Sequence, residues 1–250
     1  MKIIGVIPAR YSSTRFPGKP LADICGKPMI WWVYNQVIKS TKLNEVYVLT
    51  DDDRIVDLCK KESIPYLLTR DNHPDHISRV QEASDMLEAD CYVCVNGDEP
   101  LIQAEVIDMV IPETMDNNKP VFYGATRKFS DAPKVIDPAN IKIVLNEKQR
   151  CVYMSRTAIP FPKGTLDFEY NKYVGIECFN KRALDFFVSV DMGRLEKIED
   201  IDHLRFLENN IPLFFTEVES ESISVDTKKD LEYVRIQIEE KIKKGELTNE

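Results

Sequence analysis

Apolar residues recur along the first hundred positions in two alternating rhythms. Short runs rich in β-branched residues, at 2–8, 45–50, 65–69 and 91–95, read as strands. Between them, residues 29–40, 53–62 and 79–87 place apolar side chains at three- and four-residue spacing, which predicts helices. Strand and helix alternating at these intervals predict βαβ units with right-handed crossovers. From about residue 119 the pattern changes. Residues 121–126, 141–145, 173–179 and 212–218 read as strands, 183–187 and 202–209 as helices, and 226–240 as a closing amphipathic helix. Residues 245–250 are polar and read as a frayed tail. The expectation is one α/β domain spanning 1–250. Its mixed, mostly parallel sheet is flanked by helices, with a β-rich lobe inserted over approximately 119–175.

The 250 residues suffice for a full core without staples, and a composition 43% hydrophobic and 30% charged excludes collagen-like and largely disordered classes. The net charge of −9 argues against nucleic acid as a partner, because duplex binding needs a basic face. No run approaches the length of a membrane span, and Arg10 follows the apolar start too soon for a signal peptide. Six scattered cysteines without a secretory signal read as reduced thiols of a cytoplasmic protein. Cys91 and Cys94 lack a second ligand pair for zinc, and three residues apart on a strand they point to opposite faces, so both read as core thiols. His73 and His76 read as pocket or surface-loop residues rather than metal ligands.

Chemistry concentrates at predicted strand ends. Residues 8–20 follow the first strand and carry Arg10, Arg15 and Lys19 among small residues, Pro8, Ala9 and Ser13 included. Three cations with nearby backbone N–H groups suit a triphosphate at the carboxyl end of a parallel sheet. No Walker loop is present; the plainer alternative is a solvated loop. Gly97-Asp98-Glu99-Pro100 follows a core strand, where Asp98 suits a hard cation such as Mg²⁺ or, more plainly, a turn. Asp226, in Ser224-Val225-Asp226-Thr227, reads either as a helix cap or as a second metal ligand opposite Asp98.

These segments together resemble the synthetases of CMP-sugar acids, in particular the CMP-Kdo synthetases (3-deoxy-manno-octulosonate cytidylyltransferases). The resemblance rests on Ile7-Pro8-Ala9-Arg10 with Ser13, Arg15 and Pro17-Gly18-Lys19-Pro20, then on Gly26-Lys27-Pro28-Met29-Ile30. It continues in order through Thr50-Asp51-Asp52, Gly97-Asp98-Glu99-Pro100, Ser155-Arg156, Gly175-Ile176, Leu195-Glu196, Leu204-Arg205 and Val225-Asp226-Thr227. It implies a Rossmann-like nucleotidyltransferase fold and a cytoplasmic, Mg²⁺-dependent homodimer. The reaction implied is transfer of CMP from CTP to an acidic sugar, with pyrophosphate released, for cell-surface polysaccharide synthesis. Pro8, Ala9, Arg10, Ser13, Arg15, Lys19 and Arg79 are then expected to bind nucleotide. Lys19, Asp98 and Asp226 are expected to be catalytic, the two aspartates holding the metal.

The chain departs from the family pattern on the acceptor side. Where the family carries His-x-Ser-Gly-Thr-(Glu or Asp)-Arg, this chain has His73-Pro74-Asp75-His76-Ile77-Ser78-Arg79. Asn96, Tyr173, Glu177, Asp202 and His203 also replace the usual residues. With Arg156, which suits a carboxylate, these five are the expected acceptor-binding set. Altered polar residues predict an acceptor related to Kdo with a changed substituent, such as an amine facing Glu177 or Asp202. The alternatives are a nucleotidyltransferase acting on a sugar phosphate, alditol phosphate or phosphonate, and a non-catalytic nucleotide-binding protein.

Overall fold

Every residue from Ile3 to Ile7 of the first strand is buried, as a run this apolar requires. The computed structural model describes residues 1–12, 16–165, 167–219 and 222–249. In chain order it runs β1 (Ile3–Pro8), a 3₁₀ turn (Lys19–Leu21), the small hairpin β2 (Asp23–Ile24) and β3 (Lys27–Pro28), α1 (Met29–Val37) and β4 (Glu45–Thr50). Next come α2 (Asp53–Lys61), β5 (Tyr66–Leu68), α3 (His76–Met86), β6 (Cys91–Val95), α4 (Ala104–Val110) and β7 (Phe122–Lys128). The remainder is α5 (Ala132–Ile136), β8 (Lys142–Leu145), β9 (Cys151–Ser155), β10 (Asn171–Phe179), α6 (Lys181–Ser189), α7 (Arg194–Glu199), α8 (Leu204–Glu208), β11 (Leu213–Glu217) and α9 (Lys228–Lys243).

The main sheet has the order β11-β7-β10-β6-β1-β4-β5. Strands β6, β1, β4 and β5 pair in parallel, while β10 enters antiparallel between β6 and β7. Alternation along the strands sends side chains to two cores. Cys91, Val93 and Val95 join α1, α4 and α9 on one face, and Tyr92 and Cys94 join α3, α6 and α8 on the other. The two thiols of the Cys91–Cys94 pair thus lie on opposite faces, as their spacing predicts.

Local sequence sets the helix starts. Asp52 caps α2 at the Arg54 N–H (3.0 Å), Asp75 caps α3 at Ser78 (2.7 Å) and Asn180 caps α6 at Ala183 (2.9 Å). Asp75 starts α3 three residues before the expected boundary and so places His76 on the helix.

Other boundaries also shift. Strands β7 and β10 belong to the main path of a nine-stranded sheet, and within the expected 119–175 lobe only β8 and β9 lie off that path, β8 pairing with β10 and β9 with β8, with α5 beside them in sequence. Helices α4, α5 and α7 and strand β9 have no counterpart in the sequence expectation. Residues 223–226 form no strand, and Thr227, not Asp226, caps α9.

Candidate active site

Strands β1 and β6 lie side by side in parallel, so their carboxyl ends open into one crevice. Pro8, Ala9, Arg10 and Ser12 follow β1, and Asn96, Gly97 and Asp98 follow β6. With Lys19 and Pro20 of the 3₁₀ turn and His76 and Arg79 of α3, they line a cleft of about 550 Å³. The glycine has a specific reason: a Cβ on Gly97 would meet the Pro8 carbonyl oxygen at 2.7 Å. The expected turn is there, with the Glu99 N–H donating to the Asn96 carbonyl (3.3 Å) across Gly97 and Asp98, and close approach of the two strand ends is what requires the glycine.

Lys19 and the two aspartates meet here from three distant parts of the chain. The Lys19 ammonium lies 2.6 Å from Asp98 and 3.7 Å from Asp226. Asp226 is brought in because the Val225 N–H donates to the Asp98 carbonyl (2.9 Å), with the Val225 side chain fully buried. Thr227 and Asp230 then form a reciprocal capping box that starts α9 just beyond Asp226. The Asp98 Oδ1 atom is buried without a hydrogen-bond partner. A buried lone carboxylate oxygen is costly, and a second carboxylate beside it calls for a cation. This donor set fits a hard divalent ion.

The nucleotide-side residues divide. Arg10 donates to the His73 carbonyl (3.3 Å), and the His73 ring is itself pinned by Glu82. His73 is therefore a buried strut that aims Arg10. Arg79, fully buried, donates to Thr69 Oγ1 (2.5 Å) and pairs with Asp51 (2.9 Å), so its guanidinium shapes the cleft wall. Ser13 and Arg15 lie outside the described residues.

Four of the expected acceptor residues form one network on the α3 side of the sheet. Register sets Glu177 of β10 directly opposite Cys94 of β6. Glu177 is buried and accepts from the Tyr173 hydroxyl, with His76 Nε2 at 2.9 Å and His203 Nε2 at 2.8 Å. Burial alone raises its pKa, but the two imidazoles outweigh it and hold the carboxyl well below the usual range. The second nitrogen of His76 faces Asp202 at 3.5 Å. Burial disfavours charge on His76, yet Glu177 and Asp202 lift its pKa to about 9.

Asn96 lines the cleft, backed by Gly175, where a Cβ would lie 2.2 Å from Asn96 Nδ2. Glu177 is spent within the network, so an acceptor amine cannot face it directly; Asp202 keeps 29% of its side chain exposed. Arg156 is a correction. Its guanidinium donates to the carbonyls of Pro138, Glu199 and Asp200 (3.2, 2.6 and 2.6 Å), and it does not line the cleft.

Residues 4–223 match the cytidylyltransferase family. The chain belongs to that family. Among curated relatives, the 3-deoxy-manno-octulosonate cytidylyltransferase of Lawsonia intracellularis is 37% identical, the match covering 92% of each chain. That of Escherichia coli is 34% identical, over 94% of this chain and 95% of the relative. A solved CMP:2-keto-3-deoxy-manno-octonic acid synthetase complexed with CTP superposes with a TM-score of 0.91 at 32% identity, covering 96% of this chain and all of that one. An inositol-1-phosphate CTP transferase from T. maritima shares the fold, with a TM-score of 0.68 at 14% identity.

This cytidylyltransferase, a CTP-dependent nucleotidyltransferase, also carries a charged cluster around Glu99, next to Asp98, that its sequence did not flag as a group. Burial and the adjacent Asp98 push the Glu99 carboxyl up to about 7, and Glu99 accepts from Ser222 (2.8 Å). Lys172 and Arg127 lie close enough to pull that pKa partly back, and burial holds the Lys172 ammonium below its ordinary value. A lysine or glutamate inside a short strand or turn has no sequence signature of this kind. Only the pairing of β10 with β6 and β7 assembles the cluster.

Proposed function

We propose that this enzyme transfers CMP from CTP to a hydroxyl of a 3-deoxy-2-keto sugar acid of the Kdo class, releasing pyrophosphate. The observation that carries this reading is the meeting of Lys19, Asp98 and Asp226 at the carboxyl ends of β1 and β6. A module that only bound nucleotide would have no need of paired carboxylates in the phosphate crevice. The acceptor class comes from the relatives, which are named for 3-deoxy-manno-octulosonate.

In such a transfer the acceptor hydroxyl attacks the α-phosphorus of CTP in line and pyrophosphate departs. Catalysis is positioning plus electrostatic stabilisation. Arg10, held by the His73 carbonyl, and Lys19 are the cations for the triphosphate and the leaving pyrophosphate. Backbone groups of Pro8, Ala9 and Ser12 and the amide of Asn96 complete the wall that orients the two substrates. Asp98 and Asp226 are the residues that would hold a divalent cation, with Mg²⁺ the expected one. When bound, it neutralises phosphate charge and eases loss of the acceptor proton. Lys19, within 2.6 Å of Asp98 and 3.7 Å of Asp226, is placed to couple those carboxylates to the phosphates.

The residues that differ from the family pattern favour an acceptor altered in one polar group, because a site built for one hydroxyl rejects its replacement strongly. Exposed apolar side chains favour a homodimer through the lobe, and a CTP-consuming reaction fits the cytoplasm. The test is pyrophosphate release with CTP and Mg²⁺ over a panel of Kdo, its amino analogue, nonulosonic acids and sugar phosphates. Turnover with a 3-deoxy-2-keto acid is expected, with kcat/KM higher for a substituted analogue than for Kdo. Best turnover with Kdo refutes the altered substituent. Turnover with sugar phosphates alone refutes the acceptor class.

A further inference from the structure

The buried network behind the cleft has a feature that acceptor recognition does not require. A ring nitrogen of His76, Cys94 Sγ and a carboxylate oxygen of Glu177 all lie within 4.8 Å of one another. His203 stands beside this group of three: its Nε2 is 2.8 Å from Glu177 Oε1, while His76 Nε2 meets Oε2, and it lies outside hydrogen-bonding geometry, buried and unsatisfied. The residue is only 3% exposed, so bulk solvent does not reach that nitrogen.

We propose that His76, His203, Glu177 and Cys94 form a binding site for a borderline transition-metal dication of the zinc class, distinct from the Asp98–Asp226 pair. Two imidazole nitrogens, one carboxylate oxygen and one thiolate are a donor set for zinc or cobalt, not for magnesium. The outer contacts agree. Metal-bound histidines commonly give their other ring N–H to a carboxylate, and His76 Nδ1 faces Asp202 at 3.5 Å. The Tyr173 hydroxyl binds the Glu177 carboxylate in the same supporting manner.

The scaffold is rigid. Glu177 and Cys94 are cross-strand neighbours on β10 and β6, His76 opens α3, and His203 precedes the first residue of α8. His76 also lines the cleft, so one side of the cluster faces the acceptor space. An acidic acceptor could offer a carboxylate oxygen there, in place of the Arg156 that the fold holds elsewhere. That role depends on the proposed acceptor; metal binding does not. Cys94 gains a function that its place in the core had hidden. The thiol, raised by burial and by Glu177, becomes a ligand only by giving its proton up to a metal.

The experiment uses the full chain, stripped with EDTA and titrated with Co²⁺ as a spectroscopic probe, in an Asp226→Asn background that weakens the other carboxylate site. One Co²⁺ per chain is expected, with a thiolate-to-cobalt charge-transfer band in the near ultraviolet. Cys94→Ser, close in size to cysteine, should abolish the band. Asp202→Asn should weaken Co²⁺ binding by roughly 10–100-fold. Circular dichroism checks the fold of each variant, and His203→Ala provides a second ligand deletion. Zinc content near one per chain in protein purified without chelator agrees with the site. Absence of the band, or Co²⁺ binding unchanged in Cys94→Ser and His203→Ala, overturns it. Neither readout needs turnover, so failure here is separable from failure of the acceptor reading.

Discussion

Lys19 is the residue on which the cleft's electrostatics turn. It lies 2.6 Å from Asp98 and 3.7 Å from Asp226, and its side chain is only 16% exposed, so the three charges are weakly screened. Replacing Lys19 with alanine leaves two facing carboxylates without a cation and removes a charge aimed at phosphate. We expect kcat/KM to fall on the order of 10²–10³-fold, the loss typical of one preorganised electrostatic group. Asp98→Asn and Asp226→Asn should each cut turnover by more than about 100-fold at saturating Mg²⁺ while the far-ultraviolet dichroism stays unchanged. Steady-state kinetics with CTP and the best acceptor check all three. Near wild-type rates in either aspartate variant return Asp98 to a turn and Asp226 to a helix flank.

At the scale of elements, short polar staples hold the helices at their places on the sheet. Asp108 of α4 reaches the loop after α1, where its carboxylate accepts from the Ser40 hydroxyl, the Thr41 hydroxyl (2.6 Å) and the Thr41 N–H (3.0 Å). Burial pushes the Asp108 pKa up, but these bonds outweigh it and leave it below the ordinary value of 3.8. An acid whose folded pKa is depressed contributes stability above its unfolded pKa and loses it as pH falls through the folded one. Asp108→Asn should therefore cost about 1 kcal/mol at neutral pH, after allowance for solvent screening of a half-buried carboxylate. The difference from wild type should shrink below about pH 4. Urea midpoints measured down to that pH decide it; a gap that stays constant with pH means the charge plays no part.

For the whole molecule, the sheet leaves one lobe with apolar side chains facing water. The most exposed large apolar residues among those described are Phe161 at 84%, Ile136 at 76%, Ile198 at 68% and Val152 at 58%. The first two and Val152 lie between β7 and β10, and Ile198 belongs to α7, which Ser155 joins through Glu199 (2.7 Å). Apolar surface concentrated in one region marks an interface. We expect a dimer at micromolar concentration, shifted toward monomer by Phe161→Asp, as read by light scattering after size exclusion. A wild-type monomer at that concentration removes the dimer from the proposed function.

The alternation of apolar runs, the helix caps and the opening Ile-Pro-Ala-Arg segment determined the architecture and the phosphate crevice, because local pattern and turn chemistry act within a few residues of themselves. Lys19 and Asp98 were legible for that reason: each follows a strand whose end must face the crevice. Tertiary structure decided the rest. Asp226 is brought to Asp98 by the Val225 N–H, a contact across more than half the chain. Arg156 looked free for an acceptor carboxylate until folding gave its donors to three backbone carbonyls. His76, Cys94, Glu177 and His203, which read as one possible pocket residue, one core thiol and two acceptor residues, converge because β10 runs antiparallel beside β6 under α3 and α8. Strand register and helix docking sum many weak apolar contacts over the whole core, and that sum, which no single stretch of sequence displays, sets which distant polar groups meet.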